Sequence, residues 1–210
     1  MPTLVIGNKA FSSWSMRPWL LLRHFGVAFE ETMLPLDTPE FERRIGGYSP
    51  TRRVPVLHVG DEVIWDSLAI CEVVSERWLG GRGWPDDPRA RGAARSASAE
   101  MHSGFAALRT QLPFDSLRTP EAPHWDDAVS RDVARIQVLW SWLRARHGDE
   151  RGFLCGDFGI VDAMFAPVCV RLRGYGVPVD AETHAYMATI FALPAFVAWQ
   201  EGANAEPPRA

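Results

Sequence analysis

A cluster of serine hydroxyls near the N-terminus is the first group of side chains in this sequence that could do chemistry. The cluster is Ser12-Ser13-Trp14-Ser15, and apolar residues at helical spacing after it predict a helix over 12–26. Pro18 places the helix start near Ser15, since a missing N–H costs least in the first turn. The earlier serines would then lie in the preceding loop, where the helix dipole favours an anion. Taken alone, however, the cluster favours an ordinary capping role.

A second set of polar residues surrounds a predicted β-hairpin. Residues 54–59 and 62–65 are short apolar runs joined by a Gly-Asp turn, which is typical of two antiparallel strands. Pro55, at the start of the first strand, fits an edge position. Asp66-Ser67 then opens a helix over 67–79, and both residue types are favoured N-caps that need no ligand. A serine hydroxyl beside free N–H groups also forms a carboxylate site, so both roles stay open.

Hydrophobic spacing divides the chain into two parts. Residues 3–36 have the pattern of a strand, the first helix and another strand, and the hairpin with its helix follows. The stretch 81–88 is rich in glycine, proline and aspartate, which is typical of a linker. The sequence therefore predicts an α/β domain over 1–80 and an all-helical domain over 89–210.

Apolar stripes at helical spacing predict the helices of the second part. One stripe runs without interruption over 90–112, about six turns of helix. Others cover 129–143 and 161–172, and two shorter helices fill 181–201. The tail 203–210 is expected to be loose.

Composition excludes several functional classes. The chain has 210 residues, 47% of them hydrophobic, and its net charge of −4 gives no reason to expect nucleic acid or an anionic membrane as a partner. No apolar run is long enough to span a bilayer. Cys71, Cys155 and Cys169 lack metal-ligand and CxxC spacing, which predicts reduced core thiols and a cytoplasmic protein. The six histidines are scattered, so no metal site is predicted.

Four motifs in a fixed order carry a resemblance to a known family. They are Ser12-Ser-Trp-Ser-Met-Arg-Pro18, Arg53-Val-Pro-Val-Leu57, Asp66-Ser67 and Gly156-Asp-Phe-Gly-Ile-Val-Asp162. Together they make the chain resemble the cytosolic glutathione transferase superfamily, and within it the serine-type, zeta-like bacterial members. The resemblance implies an α/β plus all-α fold: a thioredoxin-like N-terminal domain (βαβ-ββα) and an all-helical C-terminal domain. It also implies glutathione as the co-substrate, without a metal.

The resemblance changes the interpretation of the serine cluster. The thiol of glutathione has a pKa of about 8.5, so a site that stabilises the thiolate gains most of the available chemistry. Counting back from Arg17, the resemblance makes Ser12 the catalytic hydroxyl and Ser13 a supporting donor. Trp14 stands where zeta-type members have cysteine. This departure leaves the substrate open and excludes a cysteine nucleophile at that position.

The residues that the resemblance assigns to glutathione binding are Arg53, Val54, Pro55, Asp66 and Ser67. Pro55 would follow a cis peptide bond and turn the Val54 backbone toward the cysteinyl backbone of glutathione, as one strand pairs with another. Asp66 would face the γ-glutamyl ammonium, and Ser67 would bind the γ-glutamyl carboxylate. Arg52 is the alternative to Arg53 as the partner of a carboxylate of the tripeptide.

Candidate residues for the electrophile pocket are Trp14, Met101, His102 and Phe105. His102 would lie near the middle of the long helix, although packing is the more common role for a single histidine beside an apolar stripe. Asp162 resembles the buried capping-box aspartate of the helical domain, with Gly159 where that motif has serine or threonine. We therefore expect a structural role for Asp162.

The resulting expectation is a homodimeric glutathione transferase. Its Ser12 would lower the pKa of the bound thiol, and the thiolate would attack a small hydrophobic electrophile. Glutathione-dependent isomerisation, peroxide reduction and dehalogenation share this first step, so the sequence does not separate them. An alternative from another class is a non-catalytic module that uses the same fold to bind partners.

Overall fold

The first part of the chain forms a four-stranded mixed sheet with helices against it. A computed structural model describes residues 1–120 and 124–207. The elements of this part are β1 (Thr3–Gly7), α1 (Ser13–His24), β2 (Glu30–Leu34), α2 (Pro39–Arg44), a 3₁₀ turn (Ile45–Gly47), β3 (Val56–Val59), β4 (Glu62–Trp65) and α3 (Ser67–Trp78). The strand order is β2-β1-β3-β4. The predicted thioredoxin-like arrangement is confirmed.

Helices alone make up the rest of the described chain. They are α4 (Pro88–Ser103), α5 (Ala106–Gln111), α6 (Asp127–His147), α7 (Ile160–Gly174), α8 (Ala181–Ala192) and α9 (Pro194–Asn204). The α7 helix is buried nearly all round and packs against α1, α3 and α4. Through α7 and α9, the helical part holds α1 and so fixes the start of the predicted site.

The central strand β1 is buried on both faces, which explains its continuous apolar run. It pairs in parallel with β2, with Thr3 opposite Glu30, and antiparallel with β3, with Leu4 opposite Leu57. Leu4 belongs to the large core that the helices share, whereas Val5 points into a smaller cluster on the other face of the sheet. The loops at the end of this sheet carry the candidate residues.

The first helix begins earlier than the position of Pro18 indicates. Ser12 is the N-cap and Ser13 is the first helical residue, so Ser12 lies before the helix as predicted, and the prediction is wrong for Ser13. Pro18 lies inside the helix and leaves the Trp14 carbonyl without its usual N–H donor. The capping hydroxyl of Ser12 determines the start of the helix more strongly than the proline does.

The predicted continuous helix over 90–112 is wrong beyond Ser103. The chain turns at Gly104 and Phe105, and Phe105 has a left-handed φ of 56°. A Cβ on Gly104 would lie 2.7 Å from the Glu100 carbonyl oxygen, so glycine is needed for this close approach. The apolar stripe stays buried across the break, which is why spacing alone suggested one helix. His102 accordingly lies in the last turn of α4 and not near the middle of a long helix.

Asp162 accepts hydrogen bonds from three buried donors at the start of α7. Its carboxylate accepts from Leu154 N (3.0 Å), Gly159 N (3.1 Å) and the Tyr186 hydroxyl (3.2 Å). A serine or threonine at the cap would not fit, because a Cβ on Gly159 would lie 2.9 Å from the Gly83 carbonyl oxygen. That carbonyl instead accepts from Ile160 N at 2.8 Å. The linker backbone thus satisfies the first N–H of α7, and the buried hydrogen bonds of Asp162 support a structural role for this residue.

Removing the charge of Asp162 is expected to change how stability depends on pH. Burial raises its pKa from 3.8 to about 7, although the hydrogen bonds that it accepts oppose this rise. The folded protein therefore holds this proton more tightly than the unfolded chain does. The contribution of Asp162 to the free energy of unfolding falls, by on the order of a few kcal/mol, as pH rises through the window from 3.8 to about 7.

Urea unfolding of the wild type and Asp162→Asn, measured from pH 4 to pH 8, checks this prediction. The asparagine variant does not titrate at this position. We therefore expect the wild type to lose unfolding free energy relative to Asp162→Asn as the pH rises. A difference that is constant over this range would contradict the raised pKa.

Candidate active site

A cleft of about 620 Å³ lies at the end of the sheet, between the loop before β3, the start of α3 and the first turn of α1. All five residues predicted to bind glutathione line it. The lining residues are Trp14, Thr51, Arg53, Val54, Pro55, Trp65, Asp66, Ser67 and Arg109. Three sequence motifs that are distant along the chain thus meet at one surface.

The loop before β3 presents Arg53 to the cleft and directs Arg52 elsewhere. Arg52 Nη2 donates to the Glu42 carbonyl oxygen (2.8 Å) and carboxylate (3.0 Å), which ties its charge to α2. Arg53 is exposed and lines the cleft, while its backbone N–H donates to Ser49 Oγ at 3.2 Å. The Val54–Pro55 peptide bond is cis. Of the two arginines, Arg53 has the geometry to meet a ligand.

Asp66 is the N-cap of α3 and has an unusual backbone conformation. Its φ is 73°, a value that L-residues rarely adopt, and such strain persists only where the surroundings hold it. One carboxylate oxygen accepts from Leu68 N (2.9 Å) and Ala69 N (3.2 Å). The other lies 3.2 Å from His102 Nε2, a contact between the two parts of the chain. These contacts fix the carboxylate at the cleft.

Ser67 borders the cleft and is supported from beneath by Arg17. Its hydroxyl accepts from Arg17 Nη1 at 3.2 Å. Arg17 is only 2% exposed, and its guanidinium carbon lies 4.3 Å from the centre of the Trp14 ring. Burial, and next the charges of Arg109 and Arg171, lower the pKa of Arg17 to about 9. Sequence reasoning used Arg17 only as a landmark, although its place in the serine motif was a usable signal.

The serine cluster is nearly covered in this structure. Ser12 is 5% exposed and Ser13 is 9% exposed, and neither is among the residues that line the cleft. The Ser12 hydroxyl donates to Ser15 Oγ at 2.7 Å and accepts from Ser15 N at 3.4 Å. Ser15 Oγ in turn accepts from Gly7 N at 3.2 Å, which joins the cluster to the end of β1. Trp14 is the member of this segment that reaches the cleft.

The C-terminal segment holds the loop that leads into the serine cluster. The Glu206 carboxylate accepts from Lys9 N (2.6 Å) and Ala10 N (3.2 Å), and Trp199 Nε1 donates to the Lys9 carbonyl (3.0 Å). Ala203 is fully buried. The expectation of a loose tail is therefore wrong as far as residue 206, and residues 208–210 lie outside the described part. The position of Ser12 depends on contacts with α9.

The four candidates for the electrophile pocket separate into two pairs. Trp14 lines the cleft, and the edge of the His102 ring packs against Trp14, with the ring centres 5.2 Å apart. Met101 and Phe105 are buried in the large hydrophobic core, away from the residues that line the cleft. The structure thus brings only Trp14 and His102 to the edge of the cleft.

Comparisons with known proteins agree with this architecture. The family model described as "Glutathione S-transferase, N-terminal domain" matches residues 11–77. A solved glutathione transferase homologue from Burkholderia, with bound glutathione, superposes with a TM-score of 0.73 at 25% identity, over 98% of this chain and 99% of that one. These matches support the predicted membership of the glutathione transferase superfamily and a glutathione-transferase type of function.

Relatives within the glutathione transferase superfamily differ in reaction. A probable maleylacetoacetate isomerase of Caenorhabditis elegans is 24% identical over 199 residues, 94% of this chain and 92% of that protein. A dichloromethane dehalogenase of Methylorubrum extorquens is 37% identical over 149 residues, but these cover 62% of this chain and 49% of that protein. The comparisons therefore support the superfamily and leave the reaction open.

Metal-ligating clusters and membrane-spanning helices are both missing from the described residues. Among residues 1–120 and 124–207, no group of three or more histidine, cysteine, aspartate or glutamate side chains could hold a metal ion. No helix in these ranges is both long enough and apolar enough to cross a membrane. The cleft between β3, α3 and α1 is thus the feature on which a functional proposal rests.

Proposed function

We propose that this transferase binds glutathione in the cleft and uses it as a thiolate nucleophile. The observation that carries the proposal is the meeting of Arg53, Val54, Asp66 and Ser67 on one surface. Together they offer the three kinds of partner that the tripeptide needs: cations and donors for its carboxylates, an acid for its ammonium, and the backbone of Val54, just before β3, for its own backbone. The related Burkholderia structure contains glutathione, which supports this choice.

Each end of glutathione has a chemically matched partner. The Ser67 hydroxyl and the positive end of the α3 dipole suit the γ-glutamyl carboxylate, with the charge of Arg17 directly beneath. The fixed carboxylate of Asp66 suits the ammonium of the same residue. The Val54 backbone would pair with the cysteinyl residue, and Arg53 would meet the remaining carboxylate. This arrangement delivers the thiol toward the first turn of α1.

In the proposed chemistry, Ser12 stabilises the thiolate. Its hydroxyl, which donates to Ser15 in this structure, would rotate to donate to sulfur, and the helix N-terminus would add positive potential. The thiol proton passes to solvent. The thiolate then forms a carbon–sulfur bond to the electrophile, and the leaving group departs with its electron pair. Ser13 would be the second donor. Isomerisation, dehalogenation or peroxide reduction could start from the same thiolate, and the named relatives make the first two specific alternatives.

A non-catalytic glutathione transferase fold is the rival proposal. Retention on immobilised glutathione, together with turnover of a chlorinated aromatic electrophile, distinguishes the two. The enzyme proposal expects elution by free glutathione and turnover that depends on Ser12. Retention without turnover on a broad panel of electrophiles and peroxides would favour the rival. The absence of both retention and turnover would exclude the glutathione site.

We also propose that two copies associate through α4 and α6. The apolar side chains of Val138 and Trp142 are 62% and 42% exposed, beside a shallow groove of about 310 Å³ that includes Ala93 and Ala97. Light scattering after size exclusion should give the mass of a dimer for the wild type. Val138→Glu should shift it to monomer, whereas Val197→Glu, an exposed position on α9, should not. A monomeric wild type would contradict this proposal.

A cytoplasmic location is the remaining proposal. It rests on the cysteines, because Cys71, Cys155 and Cys169 are all free and buried within the described chain. Burial raises the pKa of the Cys155 thiol to about 12, so this group is a poor nucleophile and a poor candidate for oxidation. A fusion to a fluorescent protein, expressed in the source cell, would test the location directly.

A further inference from the structure

Two arginine side chains stack on one indole ring beside the proposed glutathione cleft, and a third arginine lies in the adjoining depression. The guanidinium carbons of Arg17 and Arg109 lie 4.3 Å and 4.9 Å from the centre of the Trp14 ring. Arg171, on α7, is 6% exposed and lines the same surface depression as Trp14 and Arg109. We name these three residues, Arg17, Arg109 and Arg171, the arginine cluster.

No carboxylate of the described residues forms an ion pair with the arginine cluster. Arg109 donates to the carbonyls of His102 and Gly104, each at 3.2 Å. Arg171 Nε donates to the Leu112 carbonyl at 2.8 Å. Arg17 has the Ser67 hydroxyl, and its Nε is buried without a hydrogen-bond partner. The cluster therefore keeps its full positive charge.

Keeping this charge costs free energy, because charges of one sign are buried together. Burial, and after it the charge of Arg109, lower the pKa of Arg17 to about 9 and that of Arg171 to about 10. Asp66 is near enough to Arg17 to act in the opposite direction, but its carboxylate is engaged by the α3 cap and His102. An anion bound at the cluster would relieve this repulsion.

The cluster borders the place where the second substrate must lie. A depression of about 430 Å³ adjoins the glutathione cleft and shares Trp14 and Arg109 with it. Its lining is largely polar, with Ser103 and Thr110 beside the half-buried Arg109 and the edge of the mostly buried Arg171. This surface is a poor match for the small hydrophobic electrophile that the sequence predicted.

We propose that Arg109 and Arg171 form an anion subsite that holds a carboxylate of the electrophile, so that the second substrate is an organic acid. Guanidinium groups bind carboxylates through paired, charge-assisted hydrogen bonds, and Trp14 offers an apolar face for the carbon skeleton. Arg17 adds charge from beneath. The inference rests on the proposed function, because it concerns the partner of the glutathione thiolate.

The test compares benzyl chloride carrying a para-carboxylate with its methyl ester, both with glutathione. In each reaction a carbon–sulfur bond forms and chloride leaves. At low ionic strength the wild type should prefer the acid by about tenfold or more in kcat/KM. Arg109→Gln should remove this preference, and Arg109→Lys should restore part of it. The matched control is Arg95→Gln, since Arg95 also lies over a tryptophan, Trp84, but outside the site; it should keep the preference.

A binding measurement separates this inference from the proposed function. Calorimetric titration with benzoate and with benzamide, in the absence of glutathione, should give tighter binding of benzoate that depends on Arg109 and weakens with added chloride. That result supports the anion subsite even if no glutathione chemistry is found. Equal kcat/KM for the acid and the ester, or equal affinity for benzoate and benzamide, would overturn the subsite. So would an Arg109→Gln variant whose defect is confined to glutathione affinity.

Discussion

Replacing Ser67 by alanine is expected to lower the affinity for glutathione by about tenfold to a hundredfold. The hydroxyl is the proposed donor to the γ-glutamyl carboxylate, and a hydrogen bond to a charged group contributes roughly 1.5–3 kcal/mol. The substitution also removes the partner of Arg17 Nη1, so the buried guanidinium loses its anchor under the cleft. Isothermal titration of glutathione into the wild type and the variant measures the effect.

Ser98→Ala is the matched control for this prediction. Ser98 is also fully buried in a helix, but its hydroxyl has no hydrogen-bond partner, so its loss should leave glutathione affinity and stability nearly unchanged. Urea unfolding of Ser67→Ala is measured alongside, to separate lost binding from lost folding. Unchanged glutathione affinity in a folded Ser67→Ala protein would show that the N-terminus of α3 does not bind the tripeptide.

Ser12→Ala is expected to lower kcat/KM for glutathione conjugation by about a hundredfold or more. Removal of one donor to a developing or bound anion has effects of about this size in other enzymes. Glutathione affinity should change much less, because the proposed binding contacts lie on β3 and α3. Loss of the N-cap should cost about 1 kcal/mol of stability. Steady-state kinetics, with urea unfolding on the same samples, checks both expectations.

Two further variants make the prediction specific to Ser12. Ser12→Thr keeps a hydroxyl and a cap and should retain most of the activity. Ser13→Ala removes the proposed supporting donor and should reduce activity less than Ser12→Ala does. Wild-type kcat/KM in the Ser12→Ala protein would rule out the assignment of Ser12. A larger defect in Ser13→Ala would transfer the catalytic role to Ser13.

The position of the candidate cleft could be predicted because the relevant residues lie at element boundaries, whereas their assignment to glutathione came from the family resemblance. Pro55 marks the start of β3, and Asp66-Ser67 marks the start of α3 after a short hairpin. Strand pairing in a β-α-β-β-α unit brings such boundaries to one end of the sheet. The spacing of apolar residues was therefore sufficient to place these motifs on neighbouring elements.

Backbone turns and contacts between distant residues could not be predicted from the spacing of apolar residues. The turn at Phe105 requires a positive φ, which leaves no trace in a hydrophobic stripe. The contact of Glu206 with the Lys9 backbone and the approach of Arg109 to Trp14 join parts of the chain that sequence patterns treat separately. The need for glycine at position 159 comes from the Gly83 carbonyl, which a side chain at this position would meet and which is distant in sequence.

The burial of Ser12 places a further requirement on the proposed mechanism. Its hydroxyl is satisfied by Ser15 in this structure, so stabilisation of a thiolate requires that sulfur replace Ser15 Oγ as the acceptor. In the proposed mechanism the Ser12 hydroxyl rotates to make this exchange. The bound thiol must come within hydrogen-bond distance of Ser12. The effect of this hydrogen bond on the pKa of the thiol can be measured spectroscopically.

The most direct test is the ultraviolet absorbance of the thiolate, recorded as a function of pH with the protein saturated by glutathione. We expect a thiolate band whose apparent pKa lies clearly below the value of about 8.5 for a free thiol, and that returns toward this value in Ser12→Ala. A band that titrates like free glutathione in the wild type, or no bound glutathione at all, would contradict the proposed role of Ser12.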